Sequence, residues 1–144
     1  MSIQSQQFTH TVSTTGRGFY ELSTEISSFV QRANIHAGVC NVFIHHTSAS
    51  LIICENADPQ VLRDLECFAQ RWVPDGDPVF KHVCEGEDDM PAHVRTVFTQ
   101  TSLDIPIIKG QCALGTWQGL FLWEHRTHGH SRSVTFTAHG QATG

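Results

Sequence analysis

Apolar and polar residues alternate from Gln7 to Ser13, with Phe8, His10 and Val12 on one side and Thr9, Thr11 and Ser13 on the other. A period of two is a strand. Gly16 and Gly18 mark a turn, after which Leu22, Ile26, Phe29, Val30 and Ala33 recur at helical spacing. Ser23 or Thr24 is placed to cap that helix, and Gly38 is read as lying just past its end. The run GVCNVFIHH is the next strand: Cys40, Val42, Ile44 and His46 share one face, and Val39, Asn41, Phe43 and His45 the other. The residues TSAS turn the chain and LIICEN continues as a second strand. Asp58-Pro59 then opens a helix whose apolar stripe is Val61, Leu62, Leu65, Phe68, Ala69 and Trp72, ended by Pro74.

A polar segment, DGDPVFKHVCEGEDDM, covers 75–90. It is long for a loop in a compact domain, and such loops are often functional. A short helix is predicted from Pro91, carrying His93, Val94, Val97 and Phe98. Three strand segments follow: LDIPIIKG, TWQGLFLWEH and SVTFTAH. Sequential strands with short turns predict an α+β fold with largely antiparallel sheets and helices packed at one side. At 144 residues and 40% hydrophobic, the chain fits one domain spanning 1–144.

The strand from Thr116 to His125 is apolar on both faces in its middle, which predicts a central strand covered on both sides. Its polar residues collect at the ends: Thr116 and Gln118 at the start, Glu124 and His125, followed by Arg126, at the finish. Either Glu124 and Arg126 form a surface pair, or they bring a carboxylate and a guanidinium to a site. His46 points inward from a strand end and reads equally well as a core histidine or a site residue. His93 lies near the buried stripe of its helix, and His82 sits in the polar loop close to Asp88 and Asp89.

Composition narrows the classes. A net charge of −5 is the wrong sign for a nucleic-acid-binding surface. Charged residues make up only 16%, lean against about a quarter in typical domains, which hints at area covered in an oligomer. The five cysteines show no paired metal spacing and read as free thiols of a reducing compartment. The start, MSIQSQQFTH, is no signal peptide, and no apolar run approaches the roughly 20 residues of a span. A cytoplasmic protein without membrane attachment is expected.

Ten histidines are spread along the chain. No HExxH or CxxC is present, so spacing alone defines no metal site. Imidazole ligands would suit zinc or a neighbouring ion, and carboxylates magnesium. For phosphate, Thr47 and Ser48 offer hydroxyls beside His46, and Arg126 and Arg132 offer forks that bond two oxygens; a solvated turn is the alternative.

The run from Ser102 to Gly110, followed by Gly115, Thr116, Trp117 and Gln118, resembles the signature of the YjbQ-type family, also labelled secondary thiamine-phosphate synthase. His46 to Leu51 (HTSASL), Glu55 to Asp58 (ENAD) and Asp89 to His93 (DMPAH) resemble further family motifs in order, and His82 falls where the family has a histidine. The resemblance extends from about Gly16 to Gly140. It implies a single α+β domain with a β-sandwich-like core of largely antiparallel strands and flanking helices, a homotrimer, and a polar pocket around His46, His82, His93, Gln118 and Glu124.

In that pocket His46, His82 and His93 would ligate a divalent metal, zinc or magnesium, or a phosphate. Glu124 and His46 would serve acid/base chemistry and Gln118 would orient substrate. Thr47, Ser48, Thr116 and Arg126 would hold the phosphate of a small phosphorylated molecule. The implied activity joins a pyrimidine diphosphate to a thiazole phosphate and releases pyrophosphate. A metal-dependent hydrolase and a non-catalytic trimeric metabolite-binding protein are the alternatives.

Overall fold

A computed structural model describes residues 2–144. Eight strands and three helices follow in the order β1 (Ile3–Ser13), β2 (Gly18–Glu21), α1 (Ser23–Ala33), β3 (Ile35–Ile44), β4 (Ala49–Glu55), α2 (Pro59–Trp72), α3 (Asp89–Val97), β5 (Ser102–Ile108), β6 (Gln111–Cys112), β7 (Gln118–Glu124) and β8 (Ser131–Ala142). They form a five-stranded sheet, β1-β8-β3-β5-β6, and a three-stranded sheet, β2-β7-β4. Every strand pair is antiparallel. The antiparallel α+β architecture follows the alternating pattern, and the two sheets follow what the family resemblance implies.

Period two explains the core. Cys40, Val42 and Ile44 of β3 are buried together with Val134, Phe136 and Ala138 of β8 and Ile105 and Ile107 of β5. Leu51 of β4 and Leu120 and Leu122 of β7 close the core from the smaller sheet, and Ile26, Phe29 and Val30 of α1 complete it. β7 is the middle strand of its sheet and is buried from Gly119 to Glu124. Its other face, Phe121 and Trp123, packs with Phe19 of β2, and Trp123 donates its indole N–H to Glu66 of α2 at 3.0 Å. Coverage on both sides therefore follows the sequence expectation.

Four local expectations change. Gly38 does not terminate α1: Asn34 does, in the left-handed region at φ 55°. Gly38 lies inside β3 opposite Gly140, where a Cβ would stand 2.1 Å from the His139 carbonyl oxygen, so close backbone approach is what requires glycine. The α1 N-terminus has no side-chain cap; the Ser23 hydroxyl instead accepts from the Leu120 amide at 3.0 Å.

The stripe of α2 is the third. Asp58 caps the helix as expected, accepting from the Gln60 amide, but only Ala69 is buried, and Phe68 and Trp72 stand exposed. α3 also begins two residues before Pro91, at Asp89, and that shift matters below.

Candidate metal centre

Starting α3 at Asp89 places Asp89 and His93 one turn apart on the same helix face. The 75–88 loop folds back so that His82 meets them. His82 Nε2 lies 2.8 Å and His93 Nε2 3.2 Å from the same oxygen, Asp89 Oδ2. All three ligand atoms lie within 4.8 Å of one another. Metal–nitrogen bonds of about 2.0–2.1 Å set neighbouring ligand atoms of a tetrahedron about 3.3 Å apart, so the cluster has the span of one ion's coordination shell. The Asp89 carboxylate is buried, whereas the His82 side chain is 45% exposed and leaves one side open to solvent.

One contact orders the cluster. His93 Nδ1 lies 2.9 Å from the Thr47 carbonyl oxygen in the β3–β4 turn. A carbonyl only accepts, so Nδ1 carries the proton. In the neutral ring, Nε2 then presents a lone pair to a carboxylate oxygen. A proton on Nε2, or a metal ion between the two atoms, satisfies both of these acceptors. A backbone carbonyl on the far nitrogen is also the support that ligating histidines typically have.

Arg126 and Asp88 hold this arrangement from behind. Arg126 Nε donates to Asp88 Oδ2 at 2.9 Å, Nη1 reaches Asp89 Oδ1 at 3.0 Å, and Nη2 donates to the Glu85 carbonyl at 2.9 Å. Asp88 Oδ2 also accepts from the Thr127 amide and hydroxyl. Burial would raise the Asp88 carboxyl; the Arg126 and Thr127 hydrogen bonds outweigh it and hold the group far below the usual range. For Asp89, burial again opposes, and His82, His93 and Arg126 together keep the carboxyl low.

The structure separates the sequence candidates into three places. His82 and His93 meet. His46 stands outside that cluster: its Nε2 accepts from the Ser133 amide at 2.8 Å. Burial and the Arg132 charge push its pKa down, leaving a neutral ring protonated at Nδ1. Near it, Glu124 is 0% exposed and has both oxygens filled. Oε1 accepts from Thr14 and Arg132, and Oε2 from the Arg126 amide and Arg132. Burial would raise its pKa, but Arg132 and Thr14 keep Glu124 ionised. Ser48 is buried against Arg132. Of the two alternatives left open for Glu124 and Arg126, the surface pair does not form: Glu124 pairs with Arg132, and Arg126 with Asp88 and Asp89.

Thr47 contributes its carbonyl to His93, and Arg126 has all three nitrogens engaged. Thr116 and Gln118 lie at the opposite end of β7, exposed, with the Gln118 side chain accepting from the Gly115 amide. Six residues of strand put Gln118 about 20 Å from Glu124. Within one chain they cannot line one pocket. The residue that sequence reasoning passed over is Asp89. Its signal is the Asp-x-x-x-His spacing, visible once the helix is started at Asp89 instead of Pro91.

The fold and cluster define an antiparallel α+β protein with a histidine–aspartate centre. The family described as UPF0047 protein YjbQ-like matches residues 8–141, and the chain belongs to it. It is 48% identical to a UPF0047 protein of Synechocystis sp. over 130 residues, covering 90% of this chain and 88% of that one. It is 42% identical to the UPF0047 protein YjbQ of Escherichia coli O157:H7, covering 94% and 98%. Among solved structures, a YjbQ/UPF0047-family protein from Clostridium acetobutylicum superposes with TM-score 0.83 at 31% identity, covering 91% and 98%. A YbjQ-like protein of unknown function from Sulfolobus solfataricus P2 reaches TM-score 0.90 at 20% identity, covering 97% and 100%, a likeness of fold alone.

Proposed function

We propose that the protein is a divalent-metal-dependent enzyme that hydrolyses a small molecule, with His82, Asp89 and His93 as the metal ligands. The observation that carries this reading is the convergence of two imidazole nitrogens on Asp89 Oδ2, with the far nitrogen of His93 held by the Thr47 carbonyl. Two imidazoles and one carboxylate favour zinc or a neighbouring transition ion over magnesium, which prefers oxygen ligands and retained water. Such an ion, when bound, polarises an acceptor group and acidifies water. The chain's own contribution is orientation: Thr47 fixes the His93 tautomer, Arg126 fixes the Asp89 rotamer, and the exposed side of His82 leaves room for substrate.

The synthase activity implied by the family resemblance asks for free cations around a diphosphate leaving group. Arg126 and Arg132 are both committed to carboxylates, and Thr116 and Gln118 lie at the far end of β7. Hydrolysis therefore fits this geometry better than condensation. We retain a homotrimer in the proposal: Phe68, Trp72, Val97 and Phe98 form an outward apolar surface, with Trp72 and Phe98 in edge-to-face contact at 5.4 Å. Sedimentation equilibrium reads the stoichiometry directly.

The test of the function is elemental analysis and zinc titration, followed by a panel of phosphate and carboxylic esters and the thiazole–pyrimidine coupling reaction. One zinc per chain, lost in Asp89→Ala together with ester hydrolysis, is the expected result. Wild-type protein that holds no stoichiometric metal, or Asp89→Ala that holds it unchanged, overturns the reading. Coupling without hydrolysis would replace it with the synthase.

A further inference from the structure

His82 belongs to two features. One is the metal cluster; the other is a cavity of about 200 Å³ enclosed by the 76–90 segment. Phe80, Val83 and Met90 give this cavity apolar walls, and Asp77 and Glu87 add two carboxylates. It has room for a fragment-sized group of one ring or a branched alkyl head, smaller than a typical drug pocket.

The charges around it are unbalanced. The loop carries Asp75, Asp77, Glu85, Glu87, Asp88 and Asp89 against a single Lys81. Asp75 pairs with Arg17, and Asp88 and Asp89 share Arg126. Among the described residues, neither Asp77 nor Glu87 enters an ion pair. Asp77 uses Oδ1 to accept from the Val79 amide.

The Glu87 carboxylate lies over Gly76, where a Cβ would stand 3.2 Å from the carboxylate carbon; Gly76 has φ +72°, which other residues rarely adopt. The turn thus brings the Glu87 carboxylate against its own backbone without supplying a cation. An anion placed here would be repelled by both carboxylates, and a neutral apolar group would draw no electrostatic attraction from them. A positively charged organic group satisfies both carboxylates while its carbon surface meets Phe80, Val83 and Met90, and an aromatic wall attracts cations by its ring quadrupole.

We propose that this cavity is the subsite for an organic cation, an alkylammonium or a quaternised ring nitrogen, carried by the molecule on which the enzyme acts. Its assignment to substrate rests on the metal-centred reading of His82; the cation binding itself does not. The substrate then has two parts. The cationic head sits in the loop cavity, and the hydrolysable bond extends past His82 toward Asp89 and His93.

The probe is benzyltrimethylammonium, with its neutral carbon isostere, neopentylbenzene, and with benzoate as the anionic control. Binding to the full chain is followed by ligand-observed NMR, with zinc content measured on the same samples. The cation is expected to bind at least tenfold more tightly than isostere or anion. Glu87→Gln should weaken it about tenfold, Phe80→Leu should also weaken it, and His93→Ala should bind it while losing zinc. Equal binding of cation and isostere, undiminished binding in Glu87→Gln, or no detectable binding of the cation overturns the proposal. Native circular dichroism of each variant ensures that a loss is read from folded protein. A metal-free wild type would overturn the metal reading alone, because cation binding is scored independently of zinc.

Discussion

The two ends of β7 carry similar residue types in opposite states. At its end, Glu124 is completely buried and bonded to Thr14, Arg132 and the Arg126 amide, and the next residue, His125, is buried with its Nε2 bonded to Ser50 at 2.8 Å. At its start, Gln118 and Thr116 are exposed, and Trp117 beside them is 66% exposed. Polar residues at a strand terminus thus serve as a locked electrostatic anchor in one case and as free surface in the other. The His82–Asp89–His93 cluster sits at neither. It lies one step beyond the locked end, where Arg126 leaves the strand and grips Asp88 and Asp89.

The sharpest way to break the contrast is Glu124→Gln. It leaves Arg132 charged and buried without its carboxylate, and should cost about 3–5 kcal/mol in denaturant unfolding. Arg126→Lys comes next. A lysine cannot reach Asp88, Asp89 and the Glu85 carbonyl together, so zinc affinity should fall about 10–100-fold by competitive chelator titration while the fold persists.

A third effect is a pH slope. Burial, with the charges of Arg95, Arg17 and Arg132, depresses the His125 pKa to about 2. The unfolded chain protonates this histidine near pH 6.5 while the native state does not, so its contribution is fully present above pH 6.5 and declines as pH falls toward 2. His125→Gln should remove up to about 1.4 kcal/mol per pH unit of slope below pH 6, read from unfolding at stepped pH. The smallest effect belongs to the open end. Gln118→Ala and Thr116→Ala should change stability by under about 0.5 kcal/mol and leave zinc titration unchanged. A large loss of zinc in either would mean that the open end reaches a centre on another chain.

The strands were legible because alternation and burial report the same variable. β3 shows it best: the inward residues predicted from the pattern, Cys40, Val42 and Ile44, are all buried. α2 misled because amphipathicity states which face is apolar, not whether anything covers it, and Phe68 and Trp72 remain exposed. His82 and His93 could be singled out by residue type and motif. Asp89 was hidden by the Pro91 start signal: proline is favoured in the first turn of a helix at more than one position, so the true boundary, and with it the aspartate one turn before His93, was displaced. Glu124 and Arg132 were both visible, yet their pairing depends on β7 and β8 lying in different sheets, which no local pattern encodes.

The three tryptophans each occupy a different setting. Trp117 is on the free loop, Trp72 edges against Phe98, and Trp123 is buried with its indole bonded to Glu66. Intrinsic emission is therefore a three-channel optical record: iodide quenches the first, anything that covers the Trp72–Phe98 surface shifts the second, and only loss of the native interior uncovers the third.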